Sequence, residues 1–174
     1  MKPMLVGAAL SLLLAVPLTG PLAAPPAQAG GLAAHHACLE EERQAIERGQ
    51  GFGMALVADR NGFPGPRHIL DMKDELELSA DQVRDVQQLF DKMHSRAVEL
   101  GNELLAKEAE LDRLFAQSVS GEASVRHLLT ESALLRAELR WVHIFAHLEA
   151  RDLLTPEQRH AYHAARYGSA GHVH

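Results

Sequence analysis

Leu78 to Phe115 reads LSADQVRDVQQLFDKMHSRAVELGNELLAKEAELDRLF, and the fold follows from two signals inside it. Leu78-Ser79-Ala80-Asp81-Gln82 has the form of a helix start. Ser79 is placed to cap the first turn, Gln82 to return the bond three residues later, and Leu78 to staple onto Val83. From there the apolar residues Val83, Val86, Phe90, Met93, Ala97, Leu100, Leu104, Leu111 and Leu114 recur at alternating spacings of three and four. Lys107 is the one break. This is a heptad seam on one face of a long helix, predicted to run to about Gln117.

Downstream, Ser118 to Ser124 contains Gly121 and reads as a tight connection. A second seam follows in the same rhythm: Val125, Leu128, Ser132, Leu135, Leu139, Val142, Ala146 and Leu153. Two seams joined by a short turn predict an all-α chain built on a long antiparallel helical hairpin. Leu154-Thr155-Pro156-Glu157-Gln158 then repeats the start signal. Thr155 is the cap, Pro156 takes the first helical position and Gln158 closes the box, opening a last helix to about Tyr167. Residues 168–174 form a tail carrying His172 and His174. A lone helical pair of this length has little buried seam for its exposed surface, so a hook- or cradle-shaped homodimer is expected.

Upstream, Arg67 to Leu76 reads as a short helix, preceded by the breakers Asn61-Gly62-Phe63-Pro64-Gly65-Pro66. Residues 30–66 read as a flexible arm with one short helix near Leu39 to Arg48. Lys2, the apolar run from Met4 to Leu18 and Ala27-Gln28-Ala29 form a secretory leader, residues 1–29, with cleavage expected after Ala29 and a periplasmic destination. No later stretch is long and apolar enough to predict a membrane span. The leader takes one of the 17 basic residues and none of the 23 acidic ones, so the remainder stands at a formal −7, which argues against nucleic acid as a partner. Protonating all 11 histidines would carry it to +4, so acid or metal could invert the surface field.

The two boxes, each opening a helix in a small exported helical protein, resemble the paired LTxxQ motifs of the Spy/CpxP superfamily, with Ser79 in place of Thr in the first. The resemblance covers about Arg67 to Tyr167. It implies a periplasmic role in chaperoning, envelope-stress signalling or metal handling. Trp141-Val142-His143-Ile144-Phe145-Ala146-His147, closely followed by the second box, looks most like the heavy-metal sensor branch, where a His and a Met four apart bind nickel or cobalt. His143 matches that His and His147 replaces the Met. A histidine pair four apart precedes the first box in that branch; His68 and Met72 have the spacing, offset by one residue. A glutamate ligand of the branch aligns near Phe90.

The register gives a separate reason to look at these residues. Residues four apart on a helix stack on one face, so His143 and His147 can face one ion. If the chain turns about residue 120, His94 stands level with them. His68 and Met72, on the preceding segment, could complete a shell for zinc, nickel, cobalt or copper. His35, His36 and Cys38, with His172 and His174, form a second candidate cluster. The bland alternative is that the three seam-flanking histidines are merely satisfied by Glu or water.

A second class of function is a chaperone or signalling adaptor without a specific metal. It would hold unfolded periplasmic proteins, or touch a membrane-bound signalling partner, through Met54, Phe63, Phe115, Trp141, Phe145 or Tyr162, although aromatics at helical spacing are more often core. An enzyme is not expected, because no HExxH, nucleophile elbow, phosphate-binding glycine loop or CxxC occurs.

Overall fold

The computed structural model describes residues 29–117 and 121–168. Residues 1–28 of the expected leader, residues 118–120 of the expected connection, and the tail histidines His172 and His174 lie outside the described residues. The described chain is all helix: α1 (Ala29–Glu47), α2 (Leu56–Arg60), α3 (Pro66–Asp71), α4 (Ala80–Ala116), α5 (Glu122–Asp152) and α6 (Pro156–Tyr167). The hairpin is α4 packed on α5, two helices of 37 and 31 residues. At about 1.5 Å per residue they extend roughly 55 and 45 Å.

Both start signals are formed, and they are joined. Each glutamine closes its own box: the Ser79 N–H donates to Gln82 Oε1 at 3.0 Å and the Thr155 N–H to Gln158 Oε1 at 3.0 Å. Each then reaches across to the other box. Gln82 Nε2 donates to the Leu153 carbonyl at 2.9 Å and to Gln158 Oε1 at 2.8 Å. Gln158 Nε2 donates to the Leu76 carbonyl at 3.2 Å and to Gln82 Oε1 at 3.2 Å. The residues ahead of the boxes pack beneath this clasp, with Ile69, Leu76, Val86, Ala150, Leu154 and Tyr162 buried as one apolar cluster.

A second cluster, Ile46, Ala97, Leu100, Leu104 and Leu139, lies further along the hairpin. It includes α1, so the segment expected as a flexible arm is packed into the core from Ala45 onward. The helix there is longer than the expected Leu39 to Arg48, and the glycine-rich stretch after it holds the unforeseen α2. Gly101 makes this docking possible: a Cβ there would lie 2.5 Å from the Ile46 carbonyl oxygen. Gly49 turns the chain at φ +64°, where a Cβ would meet the Val98 side chain at 2.8 Å. Lys107, the break in the seam, is accommodated by Glu131 of α5 at 3.2 Å. Of the residues named for client contact, Tyr162 is instead core, at 1% exposure. Phe63 is half-buried with the Arg151 guanidinium 4.7 Å from its ring centre, and Met54 packs on the second cluster.

Truncating either clasp glutamine leaves a carbonyl and a cap N–H without their partner, which is expected to cost about 1–3 kcal/mol. Urea unfolding of Gln82→Ala, Gln158→Ala and the double variant should show the double losing less than the sum of the singles by about 1 kcal/mol or more. Strict additivity would show that the two boxes act separately.

Candidate metal centre

The two apolar clusters leave a gap between them along the hairpin. On α4 it falls between Val86 and Ala97, on α5 between Leu139 and Ala150. A cavity of about 600 Å³ opens there, closed on its other sides by the loop after α1, by Gly65 and α3, and by Arg166 of α6. His68, His94, His143 and His147 all line it. Small residues make the room. A Cβ on Gly51 would stand 3.2 Å from His143 Nδ1, and one on Gly65 would stand 2.8 Å from His147 Nε2.

Each ring is set by a different neighbour. His147 Nδ1 lies 2.7 Å from the Phe63 carbonyl oxygen. A carbonyl can only accept, so Nδ1 carries the proton and Nε2, next to Gly65, keeps a free lone pair. By the same argument His94 donates from Nε2 to the Arg48 carbonyl at 3.0 Å, leaving Nδ1 as its acceptor, and its ring stacks on Phe90 with centres 5.6 Å apart. His143 is 6% exposed, and its buried Nε2 has no hydrogen-bond partner. His68 Nδ1 faces the Tyr162 hydroxyl at 3.4 Å and Asp59 Oδ2 at 3.8 Å.

Burial favours the neutral form of His143, His147 and His68. It pushes His143 down to about 4, with charges on His147 and His94 acting in the same direction. His147 is also lowered by burial, although the Phe63 carbonyl bond opposes the shift. His68 is lowered by burial and by the Arg166 guanidinium. Neutral imidazole is the form that ligates metal. Among the described residues, however, no three His, Cys, Asp or Glu groups converge on one point at ligand distance. The four histidines share a cavity without forming a closed shell.

The other expected members lie elsewhere. Met72 is half-buried against the Ile69–Tyr162 cluster, because one turn beyond His68 the α3 face meets the core rather than the cavity. His35, His36 and the unbonded Cys38 are exposed on α1, with the two imidazole centres 6.4 Å apart. Phe115, Trp141 and Phe145 are exposed on the hairpin, the last two with ring centres 5.5 Å apart.

Asp59 was not singled out from the sequence. It is 3% exposed on α2, accepting from the Tyr162 hydroxyl on Oδ1 at 2.5 Å, and on Oδ2 from the Tyr167 hydroxyl at 2.6 Å and Arg166 at 3.1 Å. Burial alone would raise this carboxyl, but those bonds and charges outweigh it and hold the group below the ordinary carboxylate range. An acid directly after the apolar run Leu56-Val57-Ala58 was the available signal. Its partners, more than 100 residues away, were not visible without the fold.

A family profile described as heavy-metal resistance matches residues 51–161, the stretch that carries all four cavity histidines. The chain belongs to the heavy-metal resistance family. That family lies within the Spy/CpxP-like superfamily of helical periplasmic proteins. No curated protein and no solved structure matches the chain.

The buried histidines set a pH dependence for the metal-free protein. Between about 4 and 6.5 the unfolded chain binds a proton at His143 that the folded chain refuses. Stability is therefore complete above about pH 6.5 and falls on acidification, by about 1.4 kcal/mol per pH unit for this one group. Urea unfolding at pH 7, 6 and 5 is expected to show that decline, and His143→Gln should flatten it by about the same slope. An unchanged slope in the variant would mean that His143 is not buried neutral.

Proposed function

We propose that this member of the heavy-metal resistance family is a periplasmic protein that holds a divalent transition metal in the histidine cavity, in sensing or resisting heavy metals. On this reading it acts by binding rather than by catalysis. The observation that carries the proposal is the pair on α5. His147 is oriented by the Phe63 carbonyl with Nε2 beside Gly65 of the cavity lining, and His143 carries a buried Nε2 with nothing bonded to it. A backbone carbonyl fixing one imidazole nitrogen while the other meets a metal is the usual outer-shell support of a His ligand. His94 and His68 line the same space. Imidazole donors suit zinc, nickel, cobalt or copper.

Binding would tie α3 and the loop after α1 to the hairpin. At free metal 100-fold above Kd, that linkage adds about 2.7 kcal/mol to the closed arrangement. Periplasmic location fits the family, whose members are generally periplasmic, and no described helix is long and apolar enough to cross a membrane.

We also propose that the chain pairs with a second copy. Leu134, Trp141, Phe145 and Leu148 are exposed at helical spacing along one face of α5. The same face favours a second reading, a metal-independent chaperone or signalling adaptor that holds unfolded periplasmic chains.

Calorimetric titration of the mature protein with Zn(II), Ni(II), Co(II) and Cu(II) is expected to give one ion per chain for at least one metal. His143→Ala/His147→Ala should weaken binding by about tenfold or more, since each lost imidazole removes a first-sphere bond. Identical isotherms would sink the assignment. Suppression of client aggregation by chelator-treated protein, lost in Trp141→Ala/Phe145→Ala, would instead establish the second reading.

A further inference from the structure

The metal-binding reading leaves the charge of the cavity unexplained. Its lining includes three arginines, Arg48, Arg67 and Arg166, and one acidic residue, Asp59. Both oxygens of Asp59 are already taken, Oδ1 by Tyr162 and Oδ2 by Tyr167 and Arg166. The nearest carboxylate to Arg67, Asp71 at 3.0 Å, is not part of the cavity wall. With neutral imidazoles, three arginines against Asp59 and the adjacent Asp71 leave a formal excess of one positive charge, in a chain whose net charge is −6. A bare divalent ion would add two more, and the imidazoles would offset none of them. The space is also too large for an ion alone. About 600 Å³ is the range of a small-molecule site, where one water occupies roughly 30 Å³. No three protein donors converge among the described residues, so coordination positions are left for a ligand that is not protein.

We propose that the cavity takes its metal together with a small multivalent oxyanion, a polycarboxylate or a phosphate, the imidazoles meeting the metal and Arg48, Arg67 and Arg166 meeting the anion. The proposal rests on the metal-binding reading and specifies what is bound there. The anion supplies the missing counter-charge and fills the coordination sphere, and a guanidinium offers paired donors matched to carboxylate and phosphate oxygens. Phe52, Phe90 and Met93 on the wall would pack against the carbon chain of a polycarboxylate.

Ni(II) is titrated into the mature protein at matched free-metal concentration in a non-coordinating buffer, alone, with citrate, and with inorganic phosphate. Wild type is expected to bind Ni(II) about tenfold more tightly with one of the anions, about 1.4 kcal/mol. Citrate alone enhancing binding identifies an organic carboxylate, phosphate alone an inorganic anion. Arg48→Gln/Arg67→Gln alters two exposed side chains. With its helix content checked by circular dichroism, it should bind Ni(II) alone like wild type and lose most of the enhancement. Full enhancement in the variant, or tight Ni(II) binding that neither anion improves, overturns this proposal and leaves the metal site standing. Absence of binding in every arm, with Zn(II), Co(II) and Cu(II) as well as Ni(II), overturns both.

Discussion

The reciprocal contact between Gln82 and Gln158 holds the working end of this protein together. A primary amide has an acceptor on one side and two donors on the other. Each glutamine can therefore close its own helix cap through the oxygen while its nitrogen bonds the other glutamine and a carbonyl just ahead of the opposite box. Four backbone groups at two helix starts are satisfied by two side chains. The consequence reaches beyond capping. The starts of α4 and α6 are fixed beside the end of α5, and Leu76 and Leu154 are pressed into the same apolar cluster as Tyr162. Because Tyr162 and Arg166 then point at Asp59, the clasp also sets one wall of the cavity.

The cavity is possible because the hairpin seam is not continuous. Where a coiled pair would place large apolar residues, this chain has Ala146 flanked by His143 and His147, with glycines across from the imidazoles. Polar space of this kind costs stability, through lost packing and through a buried nitrogen with no protein partner. The apolar clusters on either side offset that cost, and the clasp keeps them aligned.

Charge divides the molecule into regions with different chemistry. The chain is acidic overall, yet the cavity wall is basic and its one carboxylate is engaged by two tyrosines and an arginine. Asp59 serves α2 and α6 as a structural tie rather than as a free anion. On the reading proposed here, neutral imidazole would meet the cation and guanidinium the anion. The same arrangement separates this site from the exposed His35, His36 and Cys38 on α1, which share ligand chemistry but have no enclosure.

The sequence by itself determined the hairpin, both capped helix starts and the level at which His94, His143 and His147 line one cavity. Those features depend on local periodicity and on residues three or four apart, which chain order specifies directly. His68 was reached through spacing ahead of the first box, and the same spacing misplaced Met72, because a six-residue helix turns its next face to the core. Only the tertiary structure decided the rest: the docking of α1 on Gly101, the burial of Asp59 under Tyr162 and Tyr167, the Phe63 carbonyl that orients His147, and the basic wall. Each joins positions about 50 to more than 100 residues apart. Which side chains meet there is set by how the helices close on one another, and no local pattern encodes it.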